Sequence, residues 1–201
     1  MVLHHQQRTG KPFEAESIAA WCDSCANGTG AALDIGAYTG LYSLLAAKNG
    51  CSVVAFEPNE KVYARFAENV SLNPFPDTPP IVLNNTAVSS ISGEVSMSIS
   101  RSVALTSGGT IVEGVGIKSV TIDSLAIDAP IVAIKIDVEG HELEVINGAI
   151  ATITTHMPLI ITEALTEQAL RAQRHLLEPL GYQFTKADEW NIIWRASHAN
   201  G

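Results

Sequence analysis

The stretch from Ala133 to Glu142 constrains the fold of this chain more than any other. An apolar run reaches Ile136, and ionisable side chains then follow in quick succession: Asp137, Glu139, His141 and Glu142. Strands buried in parallel sheets have this apolar character, and open α/β sheets bind ligands just beyond the carboxyl ends of their strands. Lys135 interrupts the apolar run, so we expect it to pair with an acid or to extend toward water. The charges beyond Ile136 predict a reaction site at the end of a buried strand.

Apolar runs alternate with helical patterns through most of the chain. Beyond Gly140, apolar residues recur at helical spacing, and we expect one helix that ends near Thr155. The predicted strands occupy residues 31–36, 52–56, 81–85, 133–136, 158–163, 182–185 and 191–195. The short gap between the last two suits an antiparallel hairpin. The alternation predicts an α/β fold with a doubly wound, mostly parallel seven-stranded sheet and an antiparallel edge hairpin.

We expect a single domain over residues 1–201, because no repeat or linker divides the sequence. Residues 1–29 are interpreted as an N-terminal helical segment. Residues 90–122 are rich in Ser and Gly and contain alternating segments, which predicts a hairpin insertion rather than a crossover helix. Within it, Ser107–Thr110 is either a lid over the site or an exposed turn. Asp123, just beyond, is expected to cap a helix rather than to act in catalysis.

The charge and composition of the chain exclude several classes of partner. The net charge is −9, with 12 Lys and Arg residues, which argues against a nucleic-acid backbone or an anionic membrane as the main partner. No apolar run approaches the roughly 20 residues of a membrane-spanning helix. The first eight residues also lack the apolar core of a signal peptide. We therefore expect a soluble, cytoplasmic protein that binds neither nucleic acid nor membrane.

The cysteine pair Cys22 and Cys25 has the spacing of a thioredoxin-type redox motif. That motif opens a helix directly after a strand, where the helix terminus lowers the pKa of the thiol. Here the pair closes an apparent helix, on the same apolar face as Trp21 and before a stop at Asn27–Gly28. We interpret both residues as structural thiols. A zinc site is disfavoured because a second pair of ligands downstream is missing.

A glycine-containing turn follows the first predicted strand. Gly36 and Gly40 allow a ligand to approach the backbone, and a helix with unpaired amides follows. Glu57 ends the next strand 21 residues after Gly36, close to the separation expected between a glycine loop and an acid that binds ribose. This unit indicates a nucleoside-bearing cofactor and leaves NAD open. Because the loop begins with Asp34 and has no middle glycine for a close phosphate approach, S-adenosylmethionine is favoured.

Five segments together resemble the FkbM family of S-adenosylmethionine-dependent methyltransferases. They are Asp34–Gly40, Phe56–Pro58, Asn85–Ser89, Thr121–Leu125 and Lys135–Glu144. The last segment is the most specific, and the resemblance covers approximately residues 30–165.

The resemblance implies a Rossmann-like class I methyltransferase fold and, usually, O-methylation of a hydroxyl on a sugar or another secondary metabolite. It further implies that the loop around Gly36 contacts the methionine part of S-adenosylmethionine, Glu57 the ribose, and the segment at Ala87 the adenine. The loop residues that this assignment covers are Asp34, Gly36, Tyr38 and Gly40. Tyr38 departs from the family, which usually has Asn at that position.

Methyl transfer from a sulfonium is an in-line displacement, so a close and aligned acceptor oxygen supplies much of the rate. Our hypothesis is that Asp137 or His141 takes the proton of the acceptor hydroxyl and that Glu139 positions the acceptor or the cofactor. His141 has the unperturbed pKa better suited to a base at neutral pH, and Asp137 has the better expected position. A metal is a lesser alternative, because its ligands would follow no known motif: Asp137, Glu139, His141 and Glu163.

Two other classes of function remain open. An NAD-dependent oxidoreductase would use the same unit from Gly36 to Glu57. A non-catalytic module would bind the cofactor, or nothing, without turnover, although the intact set of Asp137, Glu139 and His141 argues against it. The expected partner is a small-molecule or saccharide hydroxyl, and no motif in residues 90–120 identifies it further.

Overall fold

The computed structural model describes residues 14–26, 28–75, 79–99, 109–113 and 116–197. Residues 1–13 of the predicted N-terminal segment and the first half of the predicted lid, Ser107–Gly108, lie outside the described residues. In the described part of the chain, no helix is both long enough and apolar enough to cross a membrane.

A seven-stranded sheet forms the centre of the molecule, in the order β10-β11-β9-β8-β1-β2-β3. Its strands are β1 (Ala31–Ile35), β2 (Ser52–Phe56), β3 (Ile81–Asn84), β8 (Ile131–Ile136), β9 (Leu159–Glu163), β10 (Tyr182–Lys186) and β11 (Asn191–Ala196). Neighbouring strands from β3 to β9 are parallel, whereas β11 is antiparallel to both β9 and β10. The mostly parallel sheet with an antiparallel edge hairpin is therefore confirmed.

A second sheet has the order β4-β7-β5-β6. Its strands are β4 (Ala87–Val88), β5 (Gly93–Ile99), β6 (Gly109–Glu113) and β7 (Ile117–Val120). Strands β5 and β6 pair antiparallel, as expected for a hairpin in this part of the chain.

Helices cover both faces of the seven-stranded sheet. They are α1 (Ala15–Cys25), α2 (Leu41–Lys48), α3 (Glu60–Leu72), α4 (Glu142–Asn147), α5 (Ile150–His156) and α6 (Glu167–Leu177). One face buries Ile134, Ile160 and Trp194 in a cluster that extends to α4, α5 and α6. The other face buries a separate cluster that includes Trp21 of α1 and Phe66 of α3. Burial on both faces explains why the parallel strands appear in the sequence as apolar runs.

The segment after Gly140 forms two helices, so the prediction of one continuous helix to Thr155 is wrong. Gly148 separates α4 from α5, and a Cβ atom there would overlap the carbonyl oxygen of Ser89. The Asp123 carboxylate then receives hydrogen bonds from the backbone N–H groups of Ala151 and Thr152, at 3.0 and 2.8 Å. The break therefore arises from packing against a distant segment, and the capping role predicted for Asp123 is confirmed.

The cysteine pair lies in the last turn of α1 and does not open a helix. Cys25 is fully buried, and the Cys51 thiol donates to its backbone carbonyl at 3.7 Å. Burial raises the pKa of Cys25 and also that of Cys22, so both thiols resist ionisation. These environments agree with the interpretation as structural thiols.

Candidate functional site

The glycine turn after β1 lies directly against the acidic turn after β8. Gly36 has φ +78°, and a Cβ atom there would overlap the carbonyl oxygen of Asp137. The Asp137 backbone N–H donates to the carbonyl of Ile35 at 2.9 Å. Gly36 is therefore required both for its left-handed backbone and for the close approach. The two motifs that the sequence analysis singled out form one continuous edge of the sheet.

The backbone of Tyr38, rather than its side chain, organises the next part of the loop. Tyr38 has φ +51°, a conformation that Asn adopts more readily than bulky residues, which accounts for the usual Asn in the family. Its N–H donates to Oε2 of Glu57 at 3.0 Å. Gly40, with φ +91°, packs against the ring of Phe66, where a Cβ atom would overlap the ring.

Glu57 is held at the end of β2 by backbone hydrogen bonds. Its Oε1 accepts from the N–H of Asn59 at 2.9 Å, in addition to the bond from Tyr38 to Oε2. Burial raises the pKa of Glu57 to about 7, although both amides act in the opposite direction. Each carboxylate oxygen has a second lone pair, so the group can accept two further hydrogen bonds. This arrangement fits a ribose with two neighbouring hydroxyls.

Asp34 and Ala87, two further predicted cofactor-binding residues, are both buried. The Asp34 carboxylate accepts a 2.6 Å hydrogen bond from the hydroxyl of Ser43, and burial raises its pKa to about 6. The backbone N–H of Ser43 also donates to Asp34. Because Ser43 lies in the first turn of α2 and the N-cap residue Gly40 has no side chain, Asp34 acts as the capping acceptor. Ala87 is 1% exposed and packs with Val95 in the second sheet.

Lys135 confirms the expectation of an acidic partner. Its Nζ lies 2.8 Å from Oδ2 of Asp137 and 4.9 Å from the ring centre of Tyr42. Lys135 is 2% exposed, and the side chain of Asp137 is 31% exposed. Burial lowers the pKa of Lys135, but Asp137, Glu14 and Asp34 raise it and outweigh burial. The lysine is therefore charged and holds the Asp137 carboxylate at the strand end.

Glu14 is a site residue that the sequence analysis did not anticipate. Its Oε2 accepts a 2.7 Å hydrogen bond from the hydroxyl of Tyr42. Burial raises the pKa of Glu14, and the charge of Lys135 partly offsets that effect. Because Glu14 stands just before α1 and 28 residues before Tyr42, nothing in the local sequence distinguishes it from an ordinary charge at a helix start.

Glu142 stabilises the turn that carries Asp137 and Glu139. Its Oε1 accepts from the N–H groups of Gly140, at 3.0 Å, and Val138, at 3.3 Å. Glu139 has φ +54° and Gly140 has φ +100°, which is a strained combination for a turn without such support. Burial raises the pKa of Glu142.

His141 contacts the segment that follows β4. It is 9% exposed, and its Nε2 lies 2.9 Å from the hydroxyl oxygen of Ser89, just beyond β4. This contact ties the turn after β8 to the second sheet. Among the described residues, no group of three or more His, Cys, Asp or Glu side chains is arranged to hold a metal ion, so the metal alternative at Glu163 and the turn gains no support.

Comparison with known proteins identifies relatives in sequence. The pattern of the Methyltransferase FkbM domain matches residues 34–187. A curated relative, the hexuronic acid methyltransferase AglP of Haloferax volcanii, is 31% identical over 119 residues, which are 57% of this chain and 48% of the relative. The chain thus spans about half the length of that relative.

Solved structures share the fold. A methyltransferase FkbM from Methylobacillus flagellatus KT has a TM-score of 0.58 and 20% identity, and the match covers 84% of this chain and 44% of that one. The magnesium protoporphyrin IX methyltransferase of Synechocystis PCC 6803, solved with bound SAM, has a TM-score of 0.54 and 13% identity. That match covers 97% of this chain and 81% of the other. The architecture of the chain is that of the Rossmann-like class I methyltransferases.

Proposed function

The chain belongs to the FkbM methyltransferase family, and from that premise we propose that it transfers a methyl group from S-adenosylmethionine to a hydroxyl of a saccharide or another small metabolite. The observation that carries the proposal is the contact between Gly36 and the Asp137 backbone. It joins a loop suited to a nucleoside cofactor to a carboxylate suited to a hydroxyl acceptor.

On the cofactor side, Glu57 is the residue to which we assign the ribose. Both of its oxygens are already oriented by backbone amides and retain capacity for hydroxyl donors. We assign the methionine part to the backbone between Gly36 and Gly40, with Asp34 bracing the helix that follows. The adenine is assigned to the segment around Ala87, through the more exposed neighbours Asn85 and Thr86, because the Ala87 methyl is enclosed.

On the acceptor side, we assign proton removal to Asp137. The bound cofactor would supply an electrophilic methyl group, and the protein must hold the hydroxyl oxygen in line with it. Asp137 is partly exposed, and Lys135 binds its Oδ2, so Oδ1 is the oxygen that can receive the proton. His141 is the less suitable base because it is nearly buried and engaged with Ser89. Glu139 is assigned to positioning the acceptor.

The saccharide acceptor draws support from the curated relative, which is described as a hexuronic acid methyltransferase. The relative matches over 57% of this chain. A hydroxyl of a sugar is therefore the first acceptor class to test.

Cofactor binding tests the proposed function directly. We expect S-adenosylmethionine and S-adenosylhomocysteine to bind in calorimetric titrations, and NAD to give no heat. Glu57→Ala should abolish binding, since it removes the acceptor for the ribose hydroxyls. A wild-type protein that binds NAD, or neither sulfur compound, would contradict the methyltransferase proposal.

Turnover tests the assignment of Asp137. Asp137→Asn preserves a hydrogen-bond acceptor for Lys135 but removes the basic group, so we expect the methylation rate to fall by roughly 10²–10⁴-fold while cofactor affinity is retained. The rate is measured as S-adenosylhomocysteine formed with each sugar in an acceptor panel. An Asp137→Asn variant as active as wild type would assign the proton to another group.

A further inference from the structure

Glu163 occupies the strand end next to Asp137 and has no assigned role in the proposed reaction. Ile136 of β8 pairs with Thr162 of β9, so the residues that follow them, Asp137 and Glu163, lie side by side at this edge of the sheet. The side chain of Gln173, in α6, donates a hydrogen bond of 2.6 Å to the Glu163 backbone carbonyl and holds this strand end against the helix. Glu163 is partly buried and lies at the acceptor side of the edge.

The charges around Glu163 are mostly negative. The negative charges that act on it are those of Asp137 at the end of β8, Glu139 in the following turn and Glu142 at the start of α4, and the positive charge is that of Lys135. The ammonium group of Lys135, however, is bound to Asp137. Burial and then the charge of Asp137 raise the pKa of Glu163 to about 8.

Two adjacent carboxyl groups thus differ in their surroundings. Lys135 binds the Asp137 carboxylate, whereas burial and the neighbouring negative charges favour the protonated form of Glu163. Pairs of titratable groups whose environments separate them in this way take different roles in a site, one as acceptor of a proton and the other as donor of a hydrogen bond.

An unpartnered amide oxygen lies opposite Glu163. Asn191 of β11 is its register partner in the antiparallel pair, so both side chains project from the same face of the sheet. Asn191 is 3% exposed, and its Nδ2 donates to the Asp188 carboxylate at 2.9 Å. Its Oδ1 is buried without a hydrogen-bond partner among the described residues. A buried carbonyl oxygen in that state requires a donor, which a bound hydroxyl compound can supply.

We propose that Glu163 and Asn191 form an acceptor-binding pair, in which the Glu163 carboxyl group hydrogen-bonds to one oxygen of the methyl acceptor and Oδ1 of Asn191 accepts a hydrogen bond from a neighbouring hydroxyl. The proposal rests on the methyltransferase function assigned above and specifies its substrate class. The acceptor is an uncharged compound with adjacent hydroxyls, such as a neutral saccharide. An acceptor carboxylate would be repelled by Asp137, Glu139 and Glu142, so this chain differs in substrate charge from a hexuronic acid methyltransferase.

A matched pair of sugars tests this substrate class. The protein is saturated with S-adenosylhomocysteine, and methyl α-D-glucopyranoside and its uronate, methyl α-D-glucopyranosiduronic acid, are titrated by calorimetry. We expect the neutral glycoside to bind at least about tenfold more tightly than the uronate at neutral pH. Equal affinities, or tighter binding of the uronate, would overturn the proposal.

The pH dependence tests the role of Glu163. Neutral glycoside affinity should fall roughly tenfold between about pH 7 and pH 9, as the donor is lost with a pKa near 8. Glu163→Gln keeps a neutral donor and should bind with the same affinity at both pH values. The control variant Glu68→Gln, at an exposed position of α3, should retain the wild-type pH dependence.

Two results would separate the proposals. If S-adenosylhomocysteine binds but neither sugar does, or if Glu163→Gln retains the pH dependence, the acceptor-binding pair is wrong and the methyltransferase function stands. If S-adenosylhomocysteine fails to bind to the wild-type protein, the proposed function itself is wrong. The role proposed for Glu163 and Asn191 is then wrong as well.

Discussion

Among single residues, Lys135 is a buried lysine whose charge is balanced by nearby acids. It is a buried cation with Asp137 in contact, and Glu14 and Asp34 act on it at longer range. Removing one member of such a group leaves the remaining charges buried without compensation, which costs more than the interaction itself contributes. Its presence in an otherwise apolar strand is therefore explained by the acids around it.

We predict that Lys135→Met lowers the free energy of unfolding by about 3 kcal/mol at neutral pH, because Asp137 and its acidic neighbours lose their cation. The decrease in the free energy of unfolding should be smaller near pH 5, because Asp34, whose pKa is raised to about 6, is then mostly protonated. Urea denaturation at both pH values measures it. Lys186→Met is the matched control: its pair with Glu167 is exposed to solvent and should contribute little to stability. Equal losses in both variants would contradict this account of Lys135.

Glu57 gives a second prediction at the residue scale. The pKa of Glu57 is about 7 in the protein without cofactor, so below pH 7 most of the side chain is protonated. It must lose that proton before its carboxylate can accept hydrogen bonds from two ribose hydroxyls. The affinity for S-adenosylhomocysteine should therefore increase roughly tenfold from about pH 6 to pH 8. Calorimetry on wild type and Glu57→Gln measures this increase. Persistence of the full pH dependence in the variant would assign the proton to another group.

The sequence supports some of these residue assignments better than others. Gly36 and Glu57 are predictable because their roles depend on local turns and on a fixed spacing along the chain. Glu14 and Asn191 are not, because each acquires its significance from a partner on a distant element: Tyr42 for the first and Glu163 for the second. Sequence periodicity carries no information about such pairs.

Among the elements, the edge strands β3 and β10 are partly exposed, whereas the central strands β1, β8 and β9 were predictable because each is buried on both faces and therefore forms an apolar run. The boundary between α4 and α5 was not. The apolar residues keep their helical spacing across the break, although it falls at Asn147–Gly148, the same dipeptide that is interpreted as a helix stop at residues 27–28. The close contact of Gly148 with the Ser89 carbonyl, 59 positions away, is the part that local propensity does not reveal.

We predict that Asp123→Ala lowers the free energy of unfolding by about 1 kcal/mol, since α5 loses the acceptor for two N–H groups at its start. Thermal or urea denaturation measures the change. Asp128→Ala, at an exposed position nearby, should alter stability by less than about 0.5 kcal/mol. If Asp123→Ala is equally neutral, the two hydrogen bonds do not hold the helix start.

For the whole molecule, buried carboxyl groups determine how stability changes with pH. The pKa values of Asp34, Glu57 and Glu163 are raised to about 6, 7 and 8, with burial as the main cause for each. The folded chain therefore binds more protons than the unfolded chain between about pH 4 and pH 8. By linkage, the free energy of unfolding must fall as pH rises through this window.

We predict a loss of at least about 2 kcal/mol in the free energy of unfolding between about pH 5 and pH 8 in the absence of cofactor. Urea denaturation across this range measures it. In Glu163→Gln, whose side chain at this position cannot ionise, the free energy of unfolding should change less with pH near pH 8. Glu68→Gln should have the pH dependence of the wild type. A stability that rises over the same range would show that these carboxyl groups are not buried as described.

The family match begins at Asp34 and ends at residue 187, yet α1 and β11, which lie outside it, pack together on one face of the sheet through Trp21 and Ile193. Glu14 directly precedes α1, and Asn191 begins β11. The residues assigned to the cofactor thus lie wholly within the matched segment, whereas the acceptor side combines Asp137 and Glu163 from that segment with Asn191 from outside it. A change at residue 191 can therefore alter the choice of acceptor while the residues assigned to the methyl donor stay as they are.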